Sequence, residues 1–128
     1  MMQRVISTDL APKAVGPYSQ AIAVQGKTMV FISGQIPLNP ATMVIESSDV
    51  VLQTRAVLMN LKAILDEASL KPSCIVKTTV YLKSMDDFAL MNREYEKFFE
   101  GHRPARACFE VSRLPKDALV EIDAIAVC

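Results

Sequence analysis

Hydrophobic and polar residues alternate over several short stretches of the chain, and alternation of this kind predicts β-strands. Five stretches show it with β-branched or aromatic residues: 18–24, 28–33, 75–82, 105–111 and 118–128. Residues 25–27, Gln-Gly-Lys, have the composition of a tight turn. We therefore expect the first two strands to form a β-hairpin.

Two longer segments have apolar residues three and four positions apart, which predicts amphipathic helices. The first helix is expected to begin after Ser48, a favourable N-cap residue, and to end before Pro72. The second follows Ser84, with Asp87 three residues later in a capping arrangement, and ends near Gly101. The apolar positions are Val57, Leu58, Leu61, Ile64, Leu65 and Ala68, then Phe88, Met91, Tyr95 and Phe98.

The order strand, strand, helix, strand, helix, strand, strand predicts an α+β fold, with a mostly antiparallel sheet and two helices packed on one face. The length fits a single domain over residues 1–128. The helices leave the other sheet face uncovered, and a half-apolar face needs a partner, so we expect a closed homo-oligomer. The residues predicted on that face are Arg106, Leu119, Glu121, Asp123, Ile125 and Val127.

Charge and composition exclude several classes of function. Fourteen Lys and Arg residues balance fourteen Asp and Glu residues, so neither a nucleic-acid-binding protein nor a polybasic membrane-binding protein is expected. Three cysteines without a C-x-x-C pair, and the single histidine His102, disfavour a zinc site. The odd cysteine count, and the lack of a signal-like or membrane-length apolar run, predict a soluble cytoplasmic protein that needs no disulfide.

Arg106 and Glu121 are the main candidates for chemistry. They lie on the last two predicted strands, and we expect both on the face away from the helices. If those strands pair as a hairpin, a guanidinium fork suited to a carboxylate lies near a carboxylate suited to hold or activate a water. The competing interpretation is a purely structural Arg106–Glu121 salt bridge, which these two residues alone favour.

Other candidate residues have simpler explanations when taken singly. Tyr18 suits aromatic packing at an interface, and Ser33 suits a turn. Cys108 alternates onto the same face as Arg106 and suits a small buried residue, whereas His102 suits a solvated loop. The sequence contains no G-x-S-x-G, G-x-G-x-x-G or P-loop motif, so it gives no support to a serine hydrolase or a nucleotide-binding protein.

Seven stretches form a combined motif that is spread over nearly the whole chain. They are Gly16-Pro17-Tyr18-Ser19-Gln20-Ala21, Phe31–Pro37, Val76–Leu82, Asn92-x-x-Tyr95 with Phe98-Phe99, Pro104–Val111, Leu114-Pro115 and Val120-Glu121-Ile122. In this order they resemble the Rid family of reactive intermediate deaminases (RidA), also called the YjgF or endoribonuclease L-PSP family. Each stretch is weak alone, but the set is highly specific.

The resemblance implies a chorismate-mutase-like fold with a mostly antiparallel six-stranded sheet, and a homotrimer with sites at the subunit interfaces. It implies hydrolytic deamination of 2-imino acids such as 2-iminobutanoate and 2-iminopropanoate, with no metal or other cofactor. These imines arise from enamines that pyridoxal-phosphate-dependent dehydratases release, so the implied role is enamine detoxification.

The resemblance also implies roles for individual residues. Arg106 binds the substrate carboxylate, and Glu121 orients or activates the attacking water. The Cys108 backbone contacts the substrate. The residues implied to line the pocket are Tyr18, Ser33 and Asn92.

Two positions depart from the family's pattern. Met43 begins the segment 43–48 where the family commonly has Gly, and Ser69 stands where a Gly often ends the first helix. Glycine adopts a positive φ that larger residues resist, so we expect a changed loop at 43–48 that affects the pocket rim or the trimer edge. Neither departure touches Arg106 or Glu121.

Two alternative functions stay open at this point. One is an endoribonuclease or translation inhibitor, as the older family name suggests, and the other is a non-catalytic trimer that binds small carboxylates. Zero net charge and a single histidine count against the nuclease. The Arg106 fork would serve binding as well as catalysis, so it does not separate the enzyme from the binding protein.

Overall fold

The computed structural model describes residues 2–26 and 28–128. Within these residues, six strands and two helices follow one another, which confirms an α+β fold. They are β1 (Met2–Ile6), β2 (Ala21–Gln25), β3 (Met29–Gln35), α1 (Val50–Glu67), β4 (Ile75–Leu82), α2 (Phe88–Phe99), β5 (Ala105–Glu110) and β6 (Val120–Val127). Single turns of 3₁₀ helix precede β4, α2 and β6.

The strands form two sheets, not the single six-stranded sheet that was expected. β1 and β2 pair antiparallel, and the second sheet has the order β3-β6-β4-β5. The predicted hairpin of β2 with β3 was wrong, because β2 pairs with β1 and β3 pairs with β6. Lys27 of the predicted turn lies outside the described residues. Sequence reasoning also missed β1, whose side chains are mostly exposed and mixed in character.

The last two strands do not form the hairpin that would place Arg106 near Glu121. β4 lies between them, antiparallel to β6 and parallel to β5. Two parallel strands cannot be joined by a tight turn and need a crossover, which α2 supplies between β4 and β5. The order of the strands in space therefore differs from their order along the chain.

Both helices pack on one face of the four-stranded sheet, where the main core lies. As predicted, alternate residues of β6 face this core and are at most 2% exposed: Val120, Ile122, Ala124 and Ala126. The helix stripes supply the other side, for example Leu61 and Tyr95, both fully buried. The predicted N-cap residue of α1 was wrong by one position, because Asp49 accepts the hydrogen bond from the Leu52 amide at 3.1 Å.

The face of this sheet away from the helices is open and carries several exposed apolar side chains. Phe31 is 70% exposed, Met29 57% and Phe109 46%. Phe31 lies opposite Ile125 in the strand register, so these two side chains share the face. Val127, expected on this face as an uncovered residue, is only 2% exposed. An apolar face of this kind marks an interaction surface.

Met43 and Ser69, which stand at the two expected glycine positions, both adopt the left-handed conformation with a φ of 59°. The backbone at Met43 therefore takes a conformation that a glycine would adopt without strain, at a cost of about 1 kcal/mol. What differs from a glycine at position 43 is the apolar side chain, which is 58% exposed.

An unexpected disulfide joins Cys74 to Cys128, with the two Cα atoms 5.6 Å apart. The start of β4 and the end of β6 are neighbours, because Ile75 pairs with Ala126. The cysteines are 54 positions apart in the sequence, so only the strand pairing reveals their proximity. Cys108 is the free cysteine among the described residues.

We predict that reduction of this disulfide lowers the free energy of unfolding by about 2–4 kcal/mol, because the cross-link restricts a long loop in the unfolded chain. Denaturant titration with and without a thiol reductant measures the difference. The double variant Cys74→Ala, Cys128→Ala is the control and should not respond to the reductant. Equal stability of the oxidised and reduced wild-type protein would contradict the prediction.

Candidate active site

The guanidinium group of Arg106 is held by three aromatic rings and one amide. Its Nη1 donates a hydrogen bond of 2.6 Å to Oδ1 of Asn92 on α2. Its carbon Cζ lies 4.8 Å from the ring centre of Tyr95, 5.5 Å from that of Phe88 and 5.6 Å from that of Tyr18. Rings at these distances attract a cation. They fix the fork while its other N–H groups make no hydrogen bond to the described residues.

Tyr95 forms a rigid floor beneath the guanidinium. Its ring is fully buried, and its hydroxyl forms a hydrogen bond of 2.8 Å with Oγ1 of Thr78, which is also fully buried. Burial raises the pKa of Tyr95 to about 12, so the phenol stays neutral at physiological pH. Thr78 of β4 lies opposite Arg106 of β5 in the strand register.

Tyr18 reaches Arg106 because its loop is joined to the start of β5. The backbone N–H of Ser19 donates to the Pro104 carbonyl at 3.0 Å, and the Ser19 hydroxyl donates to the Arg103 carbonyl at 2.6 Å. These bonds bring together two segments that are far apart in the sequence. The loop before β2 thus supplies one wall around the guanidinium.

The outer edge of β5 presents backbone groups next to Arg106. The Pro104 carbonyl points outward to Ser19, whereas the Val111 N–H points inward to the Leu82 carbonyl of β4. Since backbone groups alternate in direction along a strand, the N–H groups of Arg106 and Cys108 both point to the outer edge. The Cys108 thiol instead packs against the core, and burial raises its pKa, so it is a poor nucleophile.

Arg106 does not lie on the face that was predicted for it. Its register partner Thr78 is buried against α2, so Arg106 and Cys108 are on the helix side of the sheet. Glu121 lies opposite Tyr81, three residues after Thr78, and therefore on the other face. The prediction that both side chains share the open face was right for Glu121 and wrong for Arg106.

Glu121 lies over Gly34 of β3, beside Ser33. A Cβ atom at position 34 would collide with its Oε2, so any residue larger than glycine would force this carboxylate to move. The pairing of β3 with β6 shifts register between Ile32 and Gln35, which places the glycine in an irregular part of the strand. Burial, and then the negative charge of Asp123, raise the pKa of Glu121.

The candidate residues thus form two separate groups. The arginine half-site consists of Tyr18, Asn92, Arg106 and Cys108, and the glutamate half-site consists of Ser33, Gly34 and Glu121. The backbones of Arg106 and Glu121 are about 10 Å apart across two strand spacings and about another 10 Å apart along the strands, and their side chains lie on opposite faces. Among the described residues, Arg106 makes no ion pair, so the structural salt bridge with Glu121 is not formed within the chain.

Two aromatic residues of the site were interpreted from the sequence as core packing alone. Phe88 and Tyr95 belong to the apolar stripe of α2, and they share one helix face, at spacings of four and three, with Asn92, which the family resemblance assigns to the pocket. The role of Gly34 could not be seen, because it depends on which strand lies beside β3.

The described residues contain no group of three or more His, Cys, Asp or Glu side chains that could hold a metal ion. Within the same residues, neither helix has the length and apolar character needed to cross a membrane.

Comparisons with known proteins agree with this architecture. The family model described as endoribonuclease L-PSP matches residues 8–128. A RutC family protein of Pyrococcus horikoshii is 53% identical over 125 residues, covering 98% of each chain. A 2-iminobutanoate/2-iminopropanoate deaminase of Escherichia coli K12 is 50% identical over 129 residues, also covering 98% of each chain. The crystal structure of E. coli TdcF with bound serine is 45% identical, has a TM-score of 0.74 and covers 98% of both chains.

The fold and the site together define a class of protein: an α+β domain with the guanidinium group of an arginine at the edge of a strand. The chain belongs to the endoribonuclease L-PSP family, which is the Rid or YjgF family of the sequence resemblance.

We predict that Glu121→Gln raises the melting temperature at pH 7 by a few degrees. The raised pKa means that the folded state binds the proton more tightly than the unfolded state. Stability therefore falls as the pH rises from the ordinary pKa of a glutamate through the raised pKa of Glu121. The neutral amide avoids this loss, and the difference from wild type should disappear below about pH 4, under the ordinary pKa of a glutamate. Melting curves between pH 3 and 8 test this, with the exposed Glu67→Gln as control. A lower melting temperature for Glu121→Gln at neutral pH would contradict the prediction.

Proposed function

We propose that this protein is a homotrimeric, cofactor-free deaminase that hydrolyses 2-imino acids, including 2-iminobutanoate and 2-iminopropanoate, to 2-keto acids and ammonia. The observation that carries the proposal is the Arg106 fork, fixed by Asn92 and three rings, with free N–H groups beside the outward amide of Cys108. Relatives that are 50% identical over nearly the whole chain bear the deaminase name.

The arginine half-site suits the α-carboxylate of such a substrate. Arg106 offers two parallel hydrogen bonds, and the backbone N–H of Cys108 supplies another donor at the same edge. Tyr18 and Asn92 form the walls and restrict where the carbon chain lies. A small carboxylate ligand also agrees with the serine bound to the TdcF relative.

The glutamate half-site suits the water. Glu121 is partly desolvated above Gly34, and its raised pKa makes it a better proton acceptor than an ordinary glutamate. Water adds to the carbon of the protonated C=N group and gives a proton to Glu121, which produces a neutral carbinolamine. Glu121 returns that proton to the carbinolamine nitrogen. The C–N bond then breaks while the hydroxyl group gives its proton to Glu121, and ammonia and the 2-keto acid leave. Holding the carboxylate and the water in place supplies several kcal/mol of barrier lowering.

Within one chain the arginine half-site and the glutamate half-site are separate, so we place the complete site between two copies of the chain. The arginine half-site lies at the β5 edge of the four-stranded sheet, and the glutamate half-site lies next to its β3 edge. A head-to-tail contact between different edges closes into a ring. The exposed Phe31 and Phe109 on the open face provide the apolar surface for that contact.

The first test of the proposed activity is imine turnover. With freshly generated 2-iminobutanoate, the wild-type protein should accelerate formation of 2-oxobutanoate and ammonia. Arg106→Ala should lower kcat/KM by about a hundredfold or more, because two charge-assisted hydrogen bonds are lost. Arg113→Ala, at an exposed position paired with Asp117, is the matched control. Equal rates with and without the wild-type protein would remove the deaminase proposal.

Calorimetry separates catalysis from simple binding. If wild-type protein binds 2-oxobutanoate, and Arg106→Ala does not, but no imine is turned over, the protein is a carboxylate-binding trimer and not an enzyme.

The second test asks whether the site is shared between copies. Arg106→Ala and Glu121→Ala are each expected to be inactive alone. After subunit exchange at equal concentrations, about a quarter of the sites should combine an intact arginine from one copy with an intact glutamate from its neighbour. Activity should therefore return to about a quarter of the wild-type value. No recovery, with exchange verified by mass spectrometry of the mixed oligomers, would show that both groups act from one chain.

The endoribonuclease activity in the family description gains no support from the site. The single histidine, His102, has its Nε2 2.7 Å from the Ile75 carbonyl oxygen, so this ring nitrogen is engaged by the backbone.

A further inference from the structure

A second cavity, separate from both half-sites, lies between α1 and the segment that follows β3. Its volume is about 460 Å³, which is within the range of small-molecule sites. Leu52, Ala56 and Met59 form one wall at helical spacings of four and three, and Pro37 and Ile45 belong to the opposite wall. Leu52 is 48% exposed and Met59 68%, so these apolar side chains are uncovered.

The side-chain amides in the cavity wall hold the segment after β3 in place. Asn60 donates from Nδ2 to the carbonyls of Ile36 and Leu38, at 3.2 and 3.0 Å. Gln53 donates from Nε2 to the Ser47 carbonyl and accepts from the Leu119 amide. The cavity is therefore braced by its own hydrogen bonds and does not depend on a ligand for its shape.

Glu46 is the one charged side chain among the described residues that line the cavity. Its carboxylate accepts a hydrogen bond from Asn39, and no Lys or Arg of the described part of the chain pairs with it. The nearby cations Arg55 and Lys62 are held by other carboxylates, Glu94 and Asp66. The cavity thus combines an apolar wall with an unpaired negative charge.

The cavity belongs to the helix side of the molecule, so an oligomer formed through the open sheet face leaves it accessible. Leu52 and Met59 point away from the sheet, whereas Leu58 and Leu61 of the same helix are buried against it. Met43, with its exposed side chain, bonds through its N–H to the Asn39 carbonyl and adds apolar surface to the same loop.

We propose that this cavity binds a small organic cation with an apolar body, of the size of a primary alkylammonium ion of about eight carbons. The alkyl chain packs against Leu52, Ala56 and Met59, and the ammonium group pairs with Glu46. Complementarity of charge selects this ligand over a fatty acid of the same length.

The test compares three probes of one chain length: n-octylammonium, 1-octanol and octanoate, each below its aggregation concentration. Amide chemical shifts of the full chain are followed during titration. Octylammonium should shift the amides of residues 37–60 and bind about fivefold more tightly than octanol, with octanoate weaker than octanol. Glu46→Gln should bring octylammonium to the affinity of octanol, whereas Glu67→Gln, on α1 but outside the cavity, should leave the preference unchanged.

Two further variants test the apolar wall. Ala56→Phe fills the cavity, and Met59→Lys, at a position exposed enough to preserve the fold, places a repelling charge in the wall. Both should abolish octylammonium binding without changing imine turnover. Equal affinity for the three probes, or shifts that map elsewhere, would overturn the proposal. The proposal would also be overturned if Ala56→Phe or Met59→Lys changed the oligomeric state, because the cavity would then be part of a contact between copies of the chain.

Discussion

The insertion of β4 between β5 and β6 determines where the charged groups of this protein lie. Arg106 is level with Thr78 of β4, and Glu121 is level with Tyr81. Thr78 and Tyr81 are three positions apart, and side chains an odd number of positions apart on a strand lie on opposite faces. The two charged side chains are therefore directed to opposite faces of one sheet. In the function proposed above, a site that uses both charges therefore spans two copies, and the open sheet face and the β3 and β5 edges take part in that contact.

Each half of the candidate site leaves a charged group partly buried without an opposite charge beside it. The guanidinium of Arg106 is partly buried among aromatic rings with one neutral hydrogen-bond partner and no carboxylate. Glu121 is desolvated above Gly34 and lies near another negative charge, which raises its pKa. In a purely structural design, these two opposite charges would pair. Keeping them apart and poorly solvated is typical of sites where a ligand completes the interactions.

The sequence pattern predicted which side chains share a face within one strand or helix. It did not predict which strands are neighbours. Alternation placed Arg106 and Cys108 on the same face of β5, and the buried face of β6 was predicted correctly. Period-two patterns do not say which face meets the helices, or which strands are neighbours, since hairpin and crossover strands alternate alike. The positions of Gly34 and the Cys74–Cys128 pair depend on those neighbours, so they emerged only with the fold.

The last strand of the chain occupies an interior place in the sheet. Until residues 120–127 have been added during synthesis, β3 and the β4–β5 pair share no common partner strand. The β4–α2–β5 unit, which carries Arg106 and Asn92, is contiguous in sequence and closes through local contacts, whereas β6 must reach back to β3 across most of the chain. The two halves of the molecule can therefore join only after β6 has been synthesised, and Glu121 arrives with that step.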